Sequence, residues 1–479
     1  MLREAQHDTG TADISIRAAA LALSIVAIAF ALTVARPHST PGPVMRDFES
    51  YYAAGQTWTA HRNPYSTDIW AYEKSIPGVR SDRVELLPFV GAPAFLPFWA
   101  FFALFPFPVA ALLWGAILIA AAAAVLIAAL RSTNALSAGA LLAGACVFTA
   151  FGPFTSDLAL GQAALLSFAA CVGATLWLIR SPILTGTWAF FAALQPNIAL
   201  ALLSQITDRR SWRPLLVAAL CFLAFCFYAR GWDGPLRYAR DLLAHGRAER
   251  FVLIQMTPAA VAYGFGAPAL LCQIIGGIAA AGAFIVALVV VRNPYLKTLW
   301  KLAAVCALLP FALPFFHEHD FVTVLLAVVL CALLAEHRTW SIAATGALFA
   351  GIDWLGLAQR PQGFAQASLL AIALLLALFA IAEQPLRRML LPCSVLVALL
   401  GAGFLAQHHP APIWPDQMRG AAALTGSTAN IWHDELTRTG QFARDPLWAA
   451  MRLLTLTGAA LLAWACIASA RERDQLEIS

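Results

Sequence analysis

Residues 268–291 read PALLCQIIGGIAAAGAFIVALVVV, twenty-four positions without a charge, closed by Arg292. A helix needs about 20 apolar residues to cross the hydrocarbon of a bilayer, and this stretch supplies them. Eleven further stretches read as candidate spans, at 16–35, 107–130, 136–151, 160–179, 213–229, 299–316, 321–336, 340–357, 365–383, 389–406 and 448–469. The whole chain agrees with them: of 479 residues 61% are hydrophobic and 12% charged, with a mean hydropathy of +0.73. A soluble domain carries about 25% charge. Soluble, disordered, collagen-like and coiled-coil classes are therefore excluded. The expected fold is an all-α integral membrane protein of about twelve spanning helices in a single polytopic domain, residues 1–479.

Two apolar segments resist that partition. Residues 183–206 are broken at Gln195-Pro196-Asn197, where proline removes a donor, and they read as a re-entrant hairpin or two half-helices. Residues 86–105 carry Pro88, Pro93 and Pro97 and read as a surface helix. With a cytoplasmic N-terminus the short inner loops hold Arg131, Arg180, Arg209, Arg210, Arg213, Arg292, Lys297, Lys301, Arg338, Arg387, Arg388, Arg471 and Arg473, as the positive-inside rule asks. Both termini are then cytoplasmic and the protein belongs in the plasma (inner) membrane. Three long segments fall on the outer, periplasmic side, 36–106, 230–267 and 407–447, with short turns at 152–159, 317–320 and 358–364. The N-terminal segment carries Glu4, Asp8 and Asp13 and reads as a retained anchor rather than a cleaved signal.

The net charge of +5 gives no reason to expect nucleic acid as a partner, since the basic residues serve orientation. All nine cysteines lie in apolar stretches without a CxxC, so they read as small buried hydrophobes and not as disulfides or a zinc site.

The scarce polar residues gather on the outer side. Asp47, Tyr51 and Gly55 share one helical face at intervals of four, while Glu49 points elsewhere. A carboxylate beside aromatic rings at the membrane surface suits a general base toward a hydroxyl, and a helix N-cap suits it equally. The stretch Phe315-Phe316-His317-Glu318-His319-Asp320-Phe321 places four ionisable residues between two apolar spans. Such groups are expensive at membrane depth and functional by default; His317 and His319 suit a phosphate, and a divalent ion is the lesser alternative because the spacing fits no standard metal motif. Asp157 with Gly161-Gln162, and Gln195 at the helix break, lie on the same side. Arg237 and Arg240, with Arg247, can line one face of 230–250, either as forks for phosphate oxygens or as an amphipathic helix on anionic lipid. One-sided placement argues for an enzyme; a transporter or flippase, the alternative function, would place its polar groups near the midplane.

One span followed by Asp47-Phe48, Tyr51-Tyr52, Ala54-Gly55 and Asn63-Pro64-Tyr65, then Gly161-Gln162, Gln195-Pro196 and the histidine turn, resembles glycosyltransferase family 87 of the GT-C superfamily over about residues 47–320. The family's aromatic-Pro-Pro element is Leu87-Pro88-Phe89 here, and Gln195 stands where a basic residue is common. The resemblance implies a GT-C fold and inverting transfer of a sugar, most often mannose, from a polyprenyl-phosphate donor to a lipid or glycan acceptor, with no cofactor and no metal. It makes Asp47 the catalytic base, and His317 and His319 part of the donor-phosphate region. Tyr51, Asp157, Gln162, Gln195, Arg237 and Arg240 complete the expected substrate-binding set.

Overall fold

In lipid a backbone can satisfy its polar groups only within a helix or a closed barrel, and this chain takes the first course. The computed structural model describes residues 2–34, 45–80, 82–359, 362–382, 384–418 and 426–478, and among these no strand forms. The first third holds α1 (Leu2–Val34), α2 (Arg46–Thr59), α3 (Ile69–Ser75), α4 (Leu96–Phe102), α5 (Phe107–Ser132), α6 (Ala138–Ala150) and α7 (Gly152–Leu160). Next come α8 (Ala164–Trp177), α9 (Pro182–Ala192), α10 (Pro196–Ala199), α11 (Arg209–Arg230), α12 (Gly234–Ala248), α13 (Pro258–Gly264), α14 (Ala269–Arg292) and α15 (Thr298–Ala312). The last third is α16 (Leu325–Leu334), α17 (His337–Ala350), α18 (Trp354–Gln359), α19 (Gly363–Ile381), α20 (Leu390–Ala406), α21 (Thr428–Arg438) and α22 (Pro446–Ile478).

Among the described residues seven helices are long and apolar enough to cross a membrane: Ser15–Val34 of α1, α5, α11, α14, α19, Leu386–Ala406 including α20, and Pro446–Ser469 of α22. In α11 and α14 only 17% of the apolar window is buried. Their outward faces display Leu216, Leu220, Leu270, Ile278, Phe284 and Val289, which only a lipid solvent makes tolerable. The protein is thus a multi-pass membrane protein.

The other expected spans form helices shorter than a bilayer: 138–150, 164–177, 298–312, 325–334 and 337–350. The turn expected at 152–159 is instead α7, bent by 72° from α6. Asp157 on α7 and His319 and Asp320 before α16 are buried, so these segments pack into the protein rather than loop into water. Residues 183–206 do break at Gln195, into α9 and a short helical run that starts at α10. The 86–105 segment, expected as a surface helix, is extended before Pro93, makes a 3-10 turn at Pro93–Phe95 and then forms the short α4, whose Leu96, Trp99 and Phe102 are buried where it packs on α2. Seven cysteines are buried as expected; Cys221 and Cys393 are exposed on α11 and α20, where an apolar thiol faces lipid at no cost. The start of the first outer segment, 36–44, and 419–425 of the third lie outside the described residues.

Candidate active site

Asp47 owes its position to the residues around it. Met45 adopts φ 60°, turning the chain into α2, so Met45 and not Asp47 occupies the N-cap position. Phe48 is fully buried, stacked on Trp114 with centroids 5.8 Å apart and edge-on to Phe102 at 5.7 Å. At the other end of α2, a Cβ on Gly55 would lie 2.5 Å from the Trp99 carbonyl oxygen, so this glycine lets α2 and α4 touch. Tyr51, between them, stacks on Trp99 at 4.5 Å. The motif thus comprises an aromatic anchor, a contact glycine and a ring wall that together fix one carboxylate.

That carboxylate is held from two sides. Arg46 donates to its Oδ1 at 2.9 Å and also pairs with buried Glu85. Gln162 donates to Oδ2 at 2.6 Å, and its own Oε1 accepts from the Tyr51 hydroxyl at 2.8 Å and from Gln195 Nε2 at 3.4 Å. Gly161, at φ 70°, ends α7 in the left-handed conformation that swings Gln162 inward, while its carbonyl accepts from Trp114 Nε1 at 2.8 Å. Gln195 is fixed through its backbone N–H, which donates to Ser167 Oγ at 3.0 Å. Asp47 retains 18% side-chain exposure, an opening through which a hydroxyl can approach.

The histidine turn is laid against residues 255–256 by a bridge between Gln255 and His317 and by Met256 N–H donating to the Phe316 carbonyl at 2.7 Å. Glu249, which the sequence reading did not single out, is its anchor. Its Oε2 lies 3.1 Å from His317 Nε2 and accepts from Gln255 at 3.2 Å; its Oε1 lies 3.2 Å from His245 Nε2 and accepts from Trp432. Burial alone would raise the Glu249 pKa, but the charges and hydrogen bonds of His245 and His317 outweigh it and hold the carboxyl well below the usual range. In return, burial lowers the His317 pKa but the Glu249 bond raises it further, so the ring binds its proton more tightly than a free histidine.

The two halves form one site. Besides Glu249, Asp320 and Asp47 also act on His317. The Tyr51 phenol is kept protonated by burial first and then by the fields of Asp47, Asp157 and Asp320. Asp157 is buried with neither carboxylate oxygen hydrogen-bonded, and His319 Nε2 stands 3.7 Å from Asp320 Oδ1. His317, His319 and Asp320 each bring a potential ligand atom within 4.8 Å of the others, the one such group among the described residues.

Asp47, Tyr51, Gln162, Gln195, Asp157, His317 and His319 thus converge, whereas Arg237 and Arg240 do not join them. Both are exposed on α12, and Arg237 is bound to Asp233 at 2.7 Å and to the Arg230 carbonyl at 2.6 Å. Beneath the site lies a second group missed in the sequence: Arg83 forms a two-pronged pair with Glu49, while Glu435 and Glu73 accept the backbone N–H groups of Leu86 and Leu87. Burial, and then the Glu85 carboxylate, push Glu435 up to about 8. The i, i+4 pair His245 and Glu249 was the one local signal of the anchor; Trp432 had none.

A helical membrane protein with a carboxylate, an amide relay and a carboxylate-held histidine gathered in one buried group is the class these features define. Residues 89–315, just under half of the chain, match the family model described as Glycosyltransferase family 87. The match indicates a glycosyltransferase. Asp47 lies well before the matched stretch, on α2, and His317 just past its end. No curated protein and no solved structure matches the chain.

Proposed function

We propose that the protein moves a sugar, mannose in the first instance, from a polyprenyl-phosphate donor to a hydroxyl of a lipid or glycan acceptor at the outer face of the plasma membrane, with inversion. The observation that carries this reading is the Asp47 carboxylate, partly open and fixed by Arg46 and Gln162 within the electrostatic reach of His317. Asp47 takes the proton of the acceptor hydroxyl as that oxygen attacks the anomeric carbon. The bond from this carbon to the phosphate oxygen breaks on the opposite side, and polyprenyl phosphate leaves as an anion that needs little protonation. A group of this kind contributes about 10²–10⁴-fold to rate. His317, its proton retained by Glu249, supplies positive charge to the departing phosphate, with His319 beside it. The reaction needs no redox cofactor and, in this reading, no metal.

A GT-C arrangement of about twelve crossings with both termini cytoplasmic fits the reading, the shorter helices completing their crossings through the broken segments around the site. The test is transfer by purified protein from radiolabelled polyprenyl-phosphate mannose to membrane lipid acceptors, with the anomeric configuration of the product read by NMR. Transfer with inversion is the expected outcome; a product of retained configuration, or none from any polyprenyl-phosphate sugar, overturns it.

A further inference from the structure

A cavity of about 60 Å³ opens between α12, residues 88–90 and the start of α21, apart from the Asp47 group. Tyr65, Phe89 and Tyr238 wall it, and Asp241, His245 and Thr428 edge it. The walls are fixed: the Tyr65 hydroxyl donates to the Gly91 carbonyl at 2.7 Å and that of Tyr238 to the Val90 carbonyl at 3.3 Å. Two side chains connect it to the site. Phe89 lies edge-on to Tyr51 at 6.2 Å and packs against Tyr65 at 5.2 Å. His245 shares the Glu249 carboxylate with His317.

His245 carries the argument furthest. With Nε2 committed to Glu249, its other ring nitrogen, Nδ1, is buried and has no hydrogen-bond partner. An unmet buried polar atom costs about 1–3 kcal/mol, and a ligand that meets it recovers that cost. A hydroxyl both donates and accepts, so it satisfies Nδ1 in either protonation state. Asp241, 2.6 Å from Arg230, adds a carboxylate acceptor at the rim. The lining holds no lysine or arginine, and Arg230 behind it is committed to Asp241 and to one face of the Tyr65 ring at 4.0 Å, so the chemistry favours hydroxyls over phosphate. Aromatic faces with a few fixed acceptors suit a pyranose. Its volume matches about two water-sized groups, enough for one edge of a hexose, with the rest of the ring at the open mouth.

We propose that this cavity is a carbohydrate subsite that holds a sugar unit of the acceptor next to the unit reacting at Asp47; its role as an acceptor site rests on the glycosyl-transfer reading, its binding of a sugar does not. Full-length protein in lipid nanodiscs, probed with methyl α-mannoside and methyl mannobioside by saturation-transfer NMR, tests binding without turnover. Saturation of the ring protons is expected in the wild type and in Asp47→Asn. It falls about tenfold in Asp241→Asn, which weakens one charge-assisted hydrogen bond, and in Ala244→Trp, whose new side chain covers the mouth from an exposed position. In turnover, Ala244→Trp raises KM for the acceptor and leaves KM for the donor unchanged. Absence of ring-proton saturation in the wild type, or equal saturation in Ala244→Trp, overturns the subsite. Turnover that survives Asp47→Asn overturns the base assignment and leaves the subsite standing.

Discussion

Glu249→Gln removes one charge and one acceptor atom from the group that holds His317 while barely changing its shape. In the wild type one oxygen faces His245 and Trp432 and the other faces His317 and Gln255. Whichever way the new amide turns, its NH₂ meets two donors. An unmet buried hydrogen-bonding group costs about 1–3 kcal/mol and removal of one member of a buried ion pair about 3–5, so the junction of α12, the histidine turn and α21 weakens by about 3 kcal/mol or more. The effect on pH dependence has a definite sign. Burial lowers the His317 pKa and Glu249 raises it above the ordinary value. In the wild type this pairing stabilises the fold in full below the unfolded-state pKa and is lost as pH rises through the higher folded-state pKa. Without the carboxylate the burial penalty is no longer outweighed, and the ring loses its proton at lower pH. Transfer rate against pH, measured on purified wild type and variant, reads this directly: the basic limb moves to lower pH in Glu249→Gln, and thermal unfolding loses pH dependence over the same range. An identical basic limb in both proteins refutes the claim that Glu249 sets the charge of His317.

Two further substitutions probe the support of the site. Gly55→Ala puts a methyl group 2.5 Å from the Trp99 carbonyl, so α2 and α4 must separate at a cost of about 1–3 kcal/mol, and transfer falls more than stability because Asp47 rides on α2; a variant with wild-type Tm and rate contradicts the close crossing. Glu435 has its pKa pushed up to about 8 from the ordinary carboxyl value of 4.5, so the folded protein loses stability as pH rises between these values, at about 1.4 kcal/mol per pH unit. Glu435→Gln keeps an acceptor for Leu86 N–H and removes that slope, which thermal unfolding between pH 5 and about 8 measures; an unchanged slope contradicts the assignment.

The site was legible where residue type and spacing stay within one element. Asp47, Tyr51 and Gly55 lie on one face because an α-helix repeats in this way, whereas the left-handed helix end at Gly161 that aims Gln162 emerges only in the structure. Gln195 was legible because proline marks a break. Glu249 was not, since its four donors come from residues 245, 255, 317 and 432 and only the first is a helical neighbour. Arg237 and Arg240 show the converse: the helix they line is amphipathic as read, but which face it turns toward the Asp47 group is decided by packing, and both stay outside. The helix at 152–160 reads as a turn in the sequence because a short segment with an aspartate resembles a solvated loop until its neighbours bury it.

The central claim is that Asp47 removes the proton of the acceptor hydroxyl. Asp47→Asn keeps the size of the side chain and removes its basicity. Folding is checked by thermal unfolding, and single-turnover transfer from polyprenyl-phosphate mannose is compared at equal donor occupancy. A native unfolding profile with transfer reduced about 10²–10⁴-fold is the predicted result; transfer within a few-fold of wild type from an equally stable variant contradicts the account.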